Sequence, residues 1–543
     1  MRPSVSLSLL AIAFAAACGT ERRAVFDDKK DPLPPGSGAD GGFVDFGNAA
    51  DDGLAVDPLN AILFVDTSTT PPTPAKQTYK VVRKTANGET DLTARATFEL
   101  EKPELGKFTG NNFESVATLP TTAPGFTTDV TVRVDGGSTG AKLTVVPLRR
   151  GADSARDFFF IVPYGQAPTP PSDVLKFKTN IQAVDVAFVV DTTGSMSSEI
   201  NAIRTALGGS LLTQLQAAIP SVGIAIVSHK DEEDPAPQLV EVFQRITTTL
   251  SLAQSAAGRL NASGGGDTPE GQVPAMFHVL TGLPVTGVPA HTPAPGTTGG
   301  VDFRPGALPM VVLVTDASWH GTKGGVTSAR LRGAFAGANA KFVALTSDGS
   351  SDNEVDADSL SDSTQSNLPP SAFTGCGGQC CTGVNGAGRA GAPGGRCRLN
   401  FRYSKSSPNI GGGVVDAIKA VAIGTAYDVA LRPRNDPANA NGVDATKFIK
   451  ALRAKDEGDA TQGCPAHPAK DTNGDGVNDT FTGVTVGTPV CFEVIAETNT
   501  TAEPQDTAQF YNSFLDVVGV PGDIRLDTRK VLFLVPPKAG VTK

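Results

Sequence analysis

Two apolar runs, each followed by an acidic residue, constrain the fold of this chain most strongly. The run Val184–Val190 is interrupted only by Asp185 and is followed at once by Asp191. The run Met310–Thr315 is followed at once by Asp316. Such runs are typical of strands that are buried on both faces at the centre of a parallel sheet. The sequence therefore predicts two central parallel strands whose carboxyl ends each carry a carboxylate.

Helical segments alternate with strand-like segments around these runs. Apolar residues at spacings of three and four predict the helices, which are Ile200–Leu215, Ala329–Ala340 and Val414–Ile423. Alternating strands and helices are typical of a doubly wound α/β domain, which we place at 181–432. Within it, a stretch at about 348–412 is rich in Ser, Asp, Gly and Cys, and it is predicted to be a surface insertion.

Strand-like segments separated by turn residues lie on both sides of this domain. Those in 56–165 predict an antiparallel, Ig-like β-sandwich. The Pro-rich stretch 166–180 is predicted to be a linker, and 433–543 a second β-rich domain. Residues 155–163 (ARDFFFIVP) echo 528–536 (TRKVLFLVP), which favours two similar β-domains. The predicted fold is thus a multidomain chain with a central α/β domain between two antiparallel sandwich-like domains.

The amino-terminal segment has the pattern of an export signal. Arg2 is followed by an apolar stretch and then by small residues, which is typical of a signal peptide, here 1–17. The position of Cys18 resembles the acylation site of bacterial lipoproteins, and an ordinary signal peptide with an incidental cysteine is the alternative. Residues 18–55 are rich in Asp, Gly and Pro and are predicted to be a flexible tether. We therefore expect an exported protein, lipid-anchored at the outer membrane or cell surface.

The remaining cysteines and the charge balance agree with export. Six cysteines are left after Cys18, and an even number in an oxidising compartment predicts disulfides. The candidates are Cys464 with Cys491, and two bridges among Cys376, Cys380, Cys381 and Cys397. A zinc site is the alternative for the second group. Acidic residues outnumber basic ones by 56 to 46, which argues against a nucleic-acid-binding protein.

Three segments rich in oxygen ligands fall where an α/β sheet binds its ligands, beyond the carboxyl ends of the strands. They are Asp191–Ser195, 264–271 (GGGDTPEG) and Thr315–Asp316. Two carboxylates combined with hydroxyls suit Mg²⁺, Mn²⁺ or Ca²⁺. No credible nucleophile–base pair accompanies these ligands, so we expect a binding protein and not an enzyme.

The first of these segments resembles the metal-ion-dependent adhesion site of the von Willebrand factor A (vWA) domain, which has the form D-x-[ST]-x-S. Asp191, Thr193 and Ser195 match that form position by position. The integrin β-subunit version of the domain is the closer likeness. Its D-x-P-E turn matches Asp267–Glu270, and its T-D-A tripeptide matches Thr315–Ala317.

This resemblance implies a Mg²⁺ or Mn²⁺ site that binds an acidic side chain of a partner protein, which the sequence does not identify. The implied ligands are the carboxylates of Asp191 and Asp316 and the hydroxyls of Thr193 and Ser195. The ligand from the third loop is left undecided, because it would be Thr268 in the commoner vWA type and Glu270 in the integrin-β type. The alternative function is a structural envelope lipoprotein whose metal site is vestigial.

Several residues near the expected rim of this site have two interpretations. The acidic loop Asp231–Asp234 could serve a further metal site or be a solvated loop. Trp319 could contact a partner or pack beneath the 348–412 stretch. His229 and His320 could line the partner surface, although a histidine at such a position more often makes a loop hydrogen bond.

A second candidate site lies at 471–479 (DTNGDGVND). Its oxygen ligands are Asp471, Asn473, Asp475 and Asp479. The spacing matches the start of an EF-hand loop, in which a glycine permits the sharp turn. The segment is similar to the short loops of thrombospondin type-3 repeats, and the resemblance implies Ca²⁺. A turn without metal is the alternative.

Overall fold

The computed structural model describes residues 53–85, 88–120, 123–150, 156–209, 211–231, 239–266 and 268–538. The predicted signal peptide 1–17, Cys18 and most of the predicted tether 18–55 lie outside these ranges. Among the described residues, no helix is both long enough and apolar enough to cross a membrane. The prediction of a multidomain chain with several antiparallel sheets is confirmed.

The first unit contains ten strands around one apolar core. They are β1 Gly53–Asp57, β2 Asn60–Asp66, β3 Lys76–Thr78, β4 Lys80–Thr85, β5 Gly88–Asp91, β6 Thr97–Leu100, β7 Gly106–Thr109, β8 Asn112–Ser115, β9 Phe126–Val134 and β10 Gly137–Leu148. The sheets are ordered β1-β4-β5, β2-β10-β9-β6 and β3-β8-β7. Every pairing is antiparallel except that of β2 with β10, which is parallel. Fully buried Tyr79 and Phe113 fill the core.

Two further strands, β11 Phe158–Ile161 and β12 Ser172–Phe177, precede the α/β unit. The strands of the α/β unit are β13 Ala183–Asp191, β14 Ser221–His229, β15 Val240–Thr247, β16 Leu308–Thr315, β17 Thr322–Lys323, β18 Val326–Thr327, β19 Lys341–Ser347, β20 Asn367–Leu368, β21 Cys397–Arg398 and β22 Asn400–Tyr403. Its helices are α1 Ser197–Gly208, α2 Leu211–Ala218, α3 Leu250–Ala257, α4 Gln272–Thr281, α5 Ser328–Ala338, α6 Ser351–Ser363 and α7 Ile410–Gly424.

The main sheet of this unit has the order β15-β14-β13-β16-β19-β22. All neighbours are parallel except β14 and β15. Alternate residues of β13 point to opposite faces, so Val186 and Val190 pack with α1, α2, α3 and α7, while Ala187 and Val189 pack with α4, α5 and α6. Burial on both faces explains why the central strands are almost uniformly apolar.

The last strands are β23 Ala426–Asn435, β24 Ile449–Ala454, β25 Ala469–Lys470, β26 Thr480–Thr485, β27 Val490–Ala496, β28 Gln509–Val520 and β29 Ile524–Val535. They combine with β11 and β12 into two sheets, ordered β11-β29-β28-β23-β26-β25 and β12-β27-β24. The α/β unit is therefore inserted between β12 and β23 of a single sandwich.

This arrangement differs from the linear order expected from the sequence. The linker predicted at 166–180 contains β12, which pairs antiparallel with β27. The end of the expected first sandwich, β11, pairs in parallel with β29 of the last one. The two segments with similar sequences are thus neighbouring strands of one sheet. Their likeness reflects a shared buried environment, since all four residues of β11 are buried.

The stretch 348–412 also contains more regular structure than a surface insertion would. It contains α6 and also β22, which is the edge strand of the main sheet, and its last residues begin α7. The cysteine-rich part is attached to α6 by ion pairs, including Arg389 with Glu354 at 2.5 Å and Arg398 with Asp362 at 2.6 Å.

The predicted disulfides are confirmed, and the structure selects their pairing. The bonds are Cys376–Cys381, Cys380–Cys397 and Cys464–Cys491. The four clustered thiols are consumed in two of these bonds, so the zinc alternative for that cluster is wrong.

Candidate functional site

The ends of β13 and β16 bring the two sequence-predicted carboxylates to one edge of the main sheet. The strands are parallel neighbours, with Val190 opposite Val314. Asp191 is the last residue of β13, while Asp316 directly follows β16. Because parallel strands end at the same edge of a sheet, residues 125 positions apart in the chain meet there.

Asp191 is fully buried and its carboxylate is held by three hydrogen bonds. Its Oδ1 accepts bonds from the backbone N–H and the hydroxyl of Thr193, at 2.9 and 2.8 Å. Its Oδ2 accepts a bond from the Thr315 hydroxyl at 2.8 Å. These contacts fix the carboxylate and satisfy a charged group that would be costly to bury alone.

Each carboxylate oxygen of Asp316 contacts one other side chain. The exposed hydroxyl of Ser195 donates to its Oδ1 at 2.9 Å. The ammonium of Lys405 lies 2.5 Å from its Oδ2. This hydrogen bond to Asp316 raises the pKa of Lys405 above its usual value, so Lys405 stays charged. The side chain of Asp316 is only 5% exposed, whereas that of Lys405 is 51% exposed.

The hydroxyls of Thr193 and Ser195 share one property that matters for cation binding. Each donates its proton to a carboxylate, so its oxygen lone pairs remain available as acceptors. Two carboxylates and two hydroxyls turned in this way form a hard oxygen donor set, which fits Mg²⁺ or Mn²⁺. In the described part of the chain, no group of three or more His, Cys, Asp or Glu side chains is arranged to hold a metal ion. A cation here would therefore depend on the hydroxyls as well as the carboxylates.

The third predicted loop lies against the first. Gly194 donates its N–H to the carbonyl of Gly264 at 3.0 Å. A Cβ atom at Gly265 would lie 3.0 Å from Cβ of Thr193 and 3.6 Å from Oε1 of Glu270. Glu270 is thus a close neighbour of the site, buried to 3% exposure.

The other third-loop candidate, Thr268, is exposed. Asp267, the first residue of the matched turn, lies outside the described residues, as do the last three residues of the acidic loop Asp231–Asp234.

A buried tyrosine connects the site to a further carboxylate. The Tyr403 hydroxyl lies 3.4 Å from the Thr315 carbonyl. Burial, together with the nearby carboxylates of Glu199, Asp316 and Asp191, raises its pKa well above the usual value. Glu199 is fully buried and accepts a hydrogen bond from Ser198 at 2.7 Å. The local potential is therefore negative, which favours a cation.

Trp319 is partly buried and packs against the core of the α/β unit. Its indole N–H donates to Asn353 of α6 at 3.1 Å, and its ring meets Phe342 edge to face with centroids 5.9 Å apart. Asn353 in turn donates to the Thr315 carbonyl at 3.0 Å. Trp319 therefore supports the end of β16 from within, and the packing alternative is the one that the structure shows.

The two histidines near the site are also placed within the fold. His229 is fully buried, and burial lowers its pKa, so its ring is neutral at pH 7. His320 lies 3.5 Å from the buried carboxylate of Asp231. Neither residue presents an open surface to a partner.

The segment 471–479 forms a tight acidic turn. Asp471 accepts backbone N–H bonds from Asn473, Gly474 and Gly476, at 3.1, 2.7 and 2.8 Å. The bonds from Gly476 and Gly474 lower the pKa of Asp471. Positive φ angles at both glycines allow this turn.

The remaining ligand candidates of the turn make hydrogen bonds within it, and Asp471, Asp475 and Asp479 do not converge on one point as metal ligands would. Asn473 donates to Asp475 at 3.1 Å, and Asp479 accepts from the Thr472 hydroxyl at 2.7 Å. The Cys464–Cys491 bond encloses the turn in sequence. All four predicted oxygen ligands therefore belong to one loop, in which Asp471, Asn473 and Asp475 are exposed and Asp479 is half-buried.

Sequence reasoning missed Lys405 and Tyr403. Both lie at or just after the end of β22, which is parallel to β19. The rule that ligands bind beyond the carboxyl ends of parallel strands would have found them. It could not be applied because β22 is only four residues long and lies in a stretch that reads as loop.

Comparisons with known proteins found little. No protein-family model matches the chain, and no curated protein matches it. Among solved structures, the chain is similar to the open conformation of the pilus adhesin SpaC from Lactobacillus rhamnosus GG, with 12% identity and a TM-score of 0.26. The match covers 87% of this chain and 49% of the adhesin, so the chain spans about half the length of that structure. Similarity at this level leaves the function to be argued from the site.

Proposed function

We propose that this chain is an exported, lipid-anchored surface protein of the vWA type, which binds a partner protein through a divalent cation. The α/β unit would carry the adhesion site, and the two β units would hold it away from the membrane. The partner would offer an acidic side chain. Neither catalysis nor nucleic-acid binding is part of this proposal.

The orientation of two hydroxyls is the observation that supports this function best. Thr193 and Ser195 each donate to a carboxylate and leave their lone pairs free, at the shared edge of β13 and β16. The D-x-[ST]-x-S spacing of the sequence agrees with this arrangement.

The residues that would hold Mg²⁺ or Mn²⁺ are Asp191, Thr193, Ser195 and Asp316, with Glu270 from the third loop. Glu270 is preferred over Thr268 because it is buried beside Gly265, which also touches Thr193. A bound cation would supply an open coordination position for a carboxylate of the partner.

Two subsidiary proposals complete this function. Cys18 would be the lipid-modified amino terminus, which places the protein at the outer membrane or cell surface. Ca²⁺ would bind at Asp471, Asn473, Asp475 and Asp479 and stiffen this turn of the sandwich.

Calorimetric titration of Mg²⁺ into the purified protein tests the main proposal. The wild type should bind Mg²⁺, and Asp191→Ala should lose one site. Asp191→Asn is the matched variant, since it keeps the side-chain volume and removes the charge. Identical titrations of all three proteins would contradict the proposal.

That contradictory outcome would favour the alternative, a structural envelope lipoprotein with a vestigial site. The extent of sheet outside the α/β unit is what supports this second candidate. Under it, a strain carrying Asp191→Ala should show unchanged surface behaviour.

A further inference from the structure

Lys405 is a cation at the proposed metal site that belongs to none of the matched motifs. It lies in the turn after β22, and its Nζ is 2.5 Å from Oδ2 of Asp316. Ser195 occupies the other oxygen of the same carboxylate. Both oxygens of Asp316 are therefore engaged by the chain itself.

The turn that carries Lys405 is held in place by hydrogen bonds. The backbone N–H of Lys405 donates to Asp348 at 3.3 Å, and that of Ser404 donates to Asn385 at 3.2 Å. Ser407 donates its backbone N–H to the Ser404 carbonyl at 3.0 Å. These bonds tie the turn to the residues after β19 and to the cysteine-rich segment, so the backbone of Lys405 is held within reach of Asp316.

The site around Asp316 is rich in negative charge. Glu199 and Asp191 act electrostatically on Lys405, in addition to its hydrogen-bonded partner Asp316. A divalent cation bound by Asp316 would meet this ammonium at close range, and like charges repel. The two cations would therefore compete for one carboxylate.

We propose that Lys405 is a built-in competitor of the divalent cation, so that metal binding requires its ammonium to leave Asp316. This inference rests on the proposed metal-dependent function and adds a mode of regulation to it. The half-exposed position of Lys405 lets the side chain move into solvent without opening the fold. The site would then load only when the divalent cation is abundant enough to displace Lys405.

Mg²⁺ titration of four proteins tests the competition. Lys405→Met removes the charge and keeps the apolar stem, whereas Lys405→Arg retains the charge. Lys142→Met is the control, because Lys142 also lies 2.5 Å from a carboxylate, that of Asp129 in the first unit. We expect Lys405→Met to bind Mg²⁺ about fivefold more tightly than the wild type, the effect expected for loss of an ion pair whose ammonium is half-exposed. Lys405→Arg and Lys142→Met should match the wild type.

The outcomes separate this inference from the function on which it rests. If the wild type and Lys405→Met bind equally while Asp191→Ala loses the site, the inference is overturned and the proposed function stands. If none of the proteins binds Mg²⁺, both are overturned.

Discussion

The hydroxyl of Ser195 donates a hydrogen bond to Oδ1 of Asp316 at 2.9 Å, although 121 positions separate the two residues. This bond connects the loop after β13 to the end of β16. Because the proton of the serine hydroxyl is used in this bond, the lone pairs of its oxygen remain available to a cation. The proposed function depends on this geometry more than on any other contact.

Replacing Ser195 by alanine should weaken Mg²⁺ binding while the chain still folds. The variant lacks one oxygen ligand and the bond that orients Asp316, so we expect the affinity to fall by at least about tenfold. Because Ser195 donates a hydrogen bond to a nearly buried carboxylate, the free energy of unfolding should fall by about 1–3 kcal/mol. Calorimetry and urea unfolding measure the two quantities. Ser197→Ala, an exposed neighbour, is the control, and equal Mg²⁺ affinity in both variants would contradict the site.

Asp471→Ala should abolish stabilisation by Ca²⁺. Asp471 organises the 471–479 turn through three backbone hydrogen bonds, and its carboxylate is the first of the proposed ligands. At a Ca²⁺ concentration one hundred times Kd, the wild type should gain about 2.7 kcal/mol, which thermal unfolding detects. Asp191→Ala should keep this gain. If Ca²⁺ does not raise the stability of the wild type, the 471–479 segment is a turn that binds no metal.

Phe160→Ala should strongly destabilise the sandwich, even though Phe160 precedes the α/β unit in the chain. Its ring stacks on Phe533 with centroids 5.7 Å apart, and both residues are fully buried. Loss of a buried phenylalanine costs about 3–5 kcal/mol. Urea unfolding measures this loss, with exposed Leu283→Ala as the control. A small effect would mean that β11 is not part of the sandwich core.

Asp516 should contribute to stability at neutral pH and lose this contribution in acid. Burial raises its pKa, but hydrogen bonds from Arg434 and Thr528 outweigh burial, so the pKa lies below the usual value. A carboxyl group with a lowered folded pKa stabilises the fold above its unfolded pKa. That stabilisation disappears as pH falls through the folded pKa.

Urea unfolding of Asp516→Asn at neutral and acidic pH checks this expectation. The variant should be less stable by about 1–3 kcal/mol at pH 7, because the three hydrogen bonds from Arg434 and Thr528 lose their charged acceptor. Its stability should also depend less on pH than that of the wild type. Asp523→Asn is the control, since Asp523 makes only an exposed ion pair with Arg432. Equal acid sensitivity of Asp516→Asn and the wild type would contradict the assignment.

Elements with strong local patterns could be predicted from the sequence. The apolar run before Asp191 is strand β13, and the helix predicted at Ala329–Ala340 is α5, Ser328–Ala338. The stripe from Ile200 to Leu215 is helical but divides into α1 and α2 near Gly209, whose φ and ψ are not helical. Periodicity reports which face is buried, and it does not report where a helix breaks.

The connections between distant segments could not be predicted in this way. The 166–180 stretch is predicted to be a linker because proline and turn residues dominate its start. Its later residues nevertheless form β12, which pairs with β27, a strand that follows the inserted unit in the chain. The disulfide pairing within 376–397 was equally open. In both cases the pairing depends on packing between distant segments, and the local sequence of one segment does not indicate which other segment it contacts.

The sequence by itself determined the parallel strands, the carboxylates at their ends and the spacing of the proposed ligands, because these depend on local pattern and on one general property of α/β sheets. Only the tertiary structure decided that Lys405 reaches Asp316, that Trp319 packs inward and that one sandwich surrounds the α/β unit. Each of these depends on contacts between segments that are far apart in the chain. Such contacts form because apolar faces of helices and sheets are buried against one another, and no short stretch of residues specifies which faces pack together.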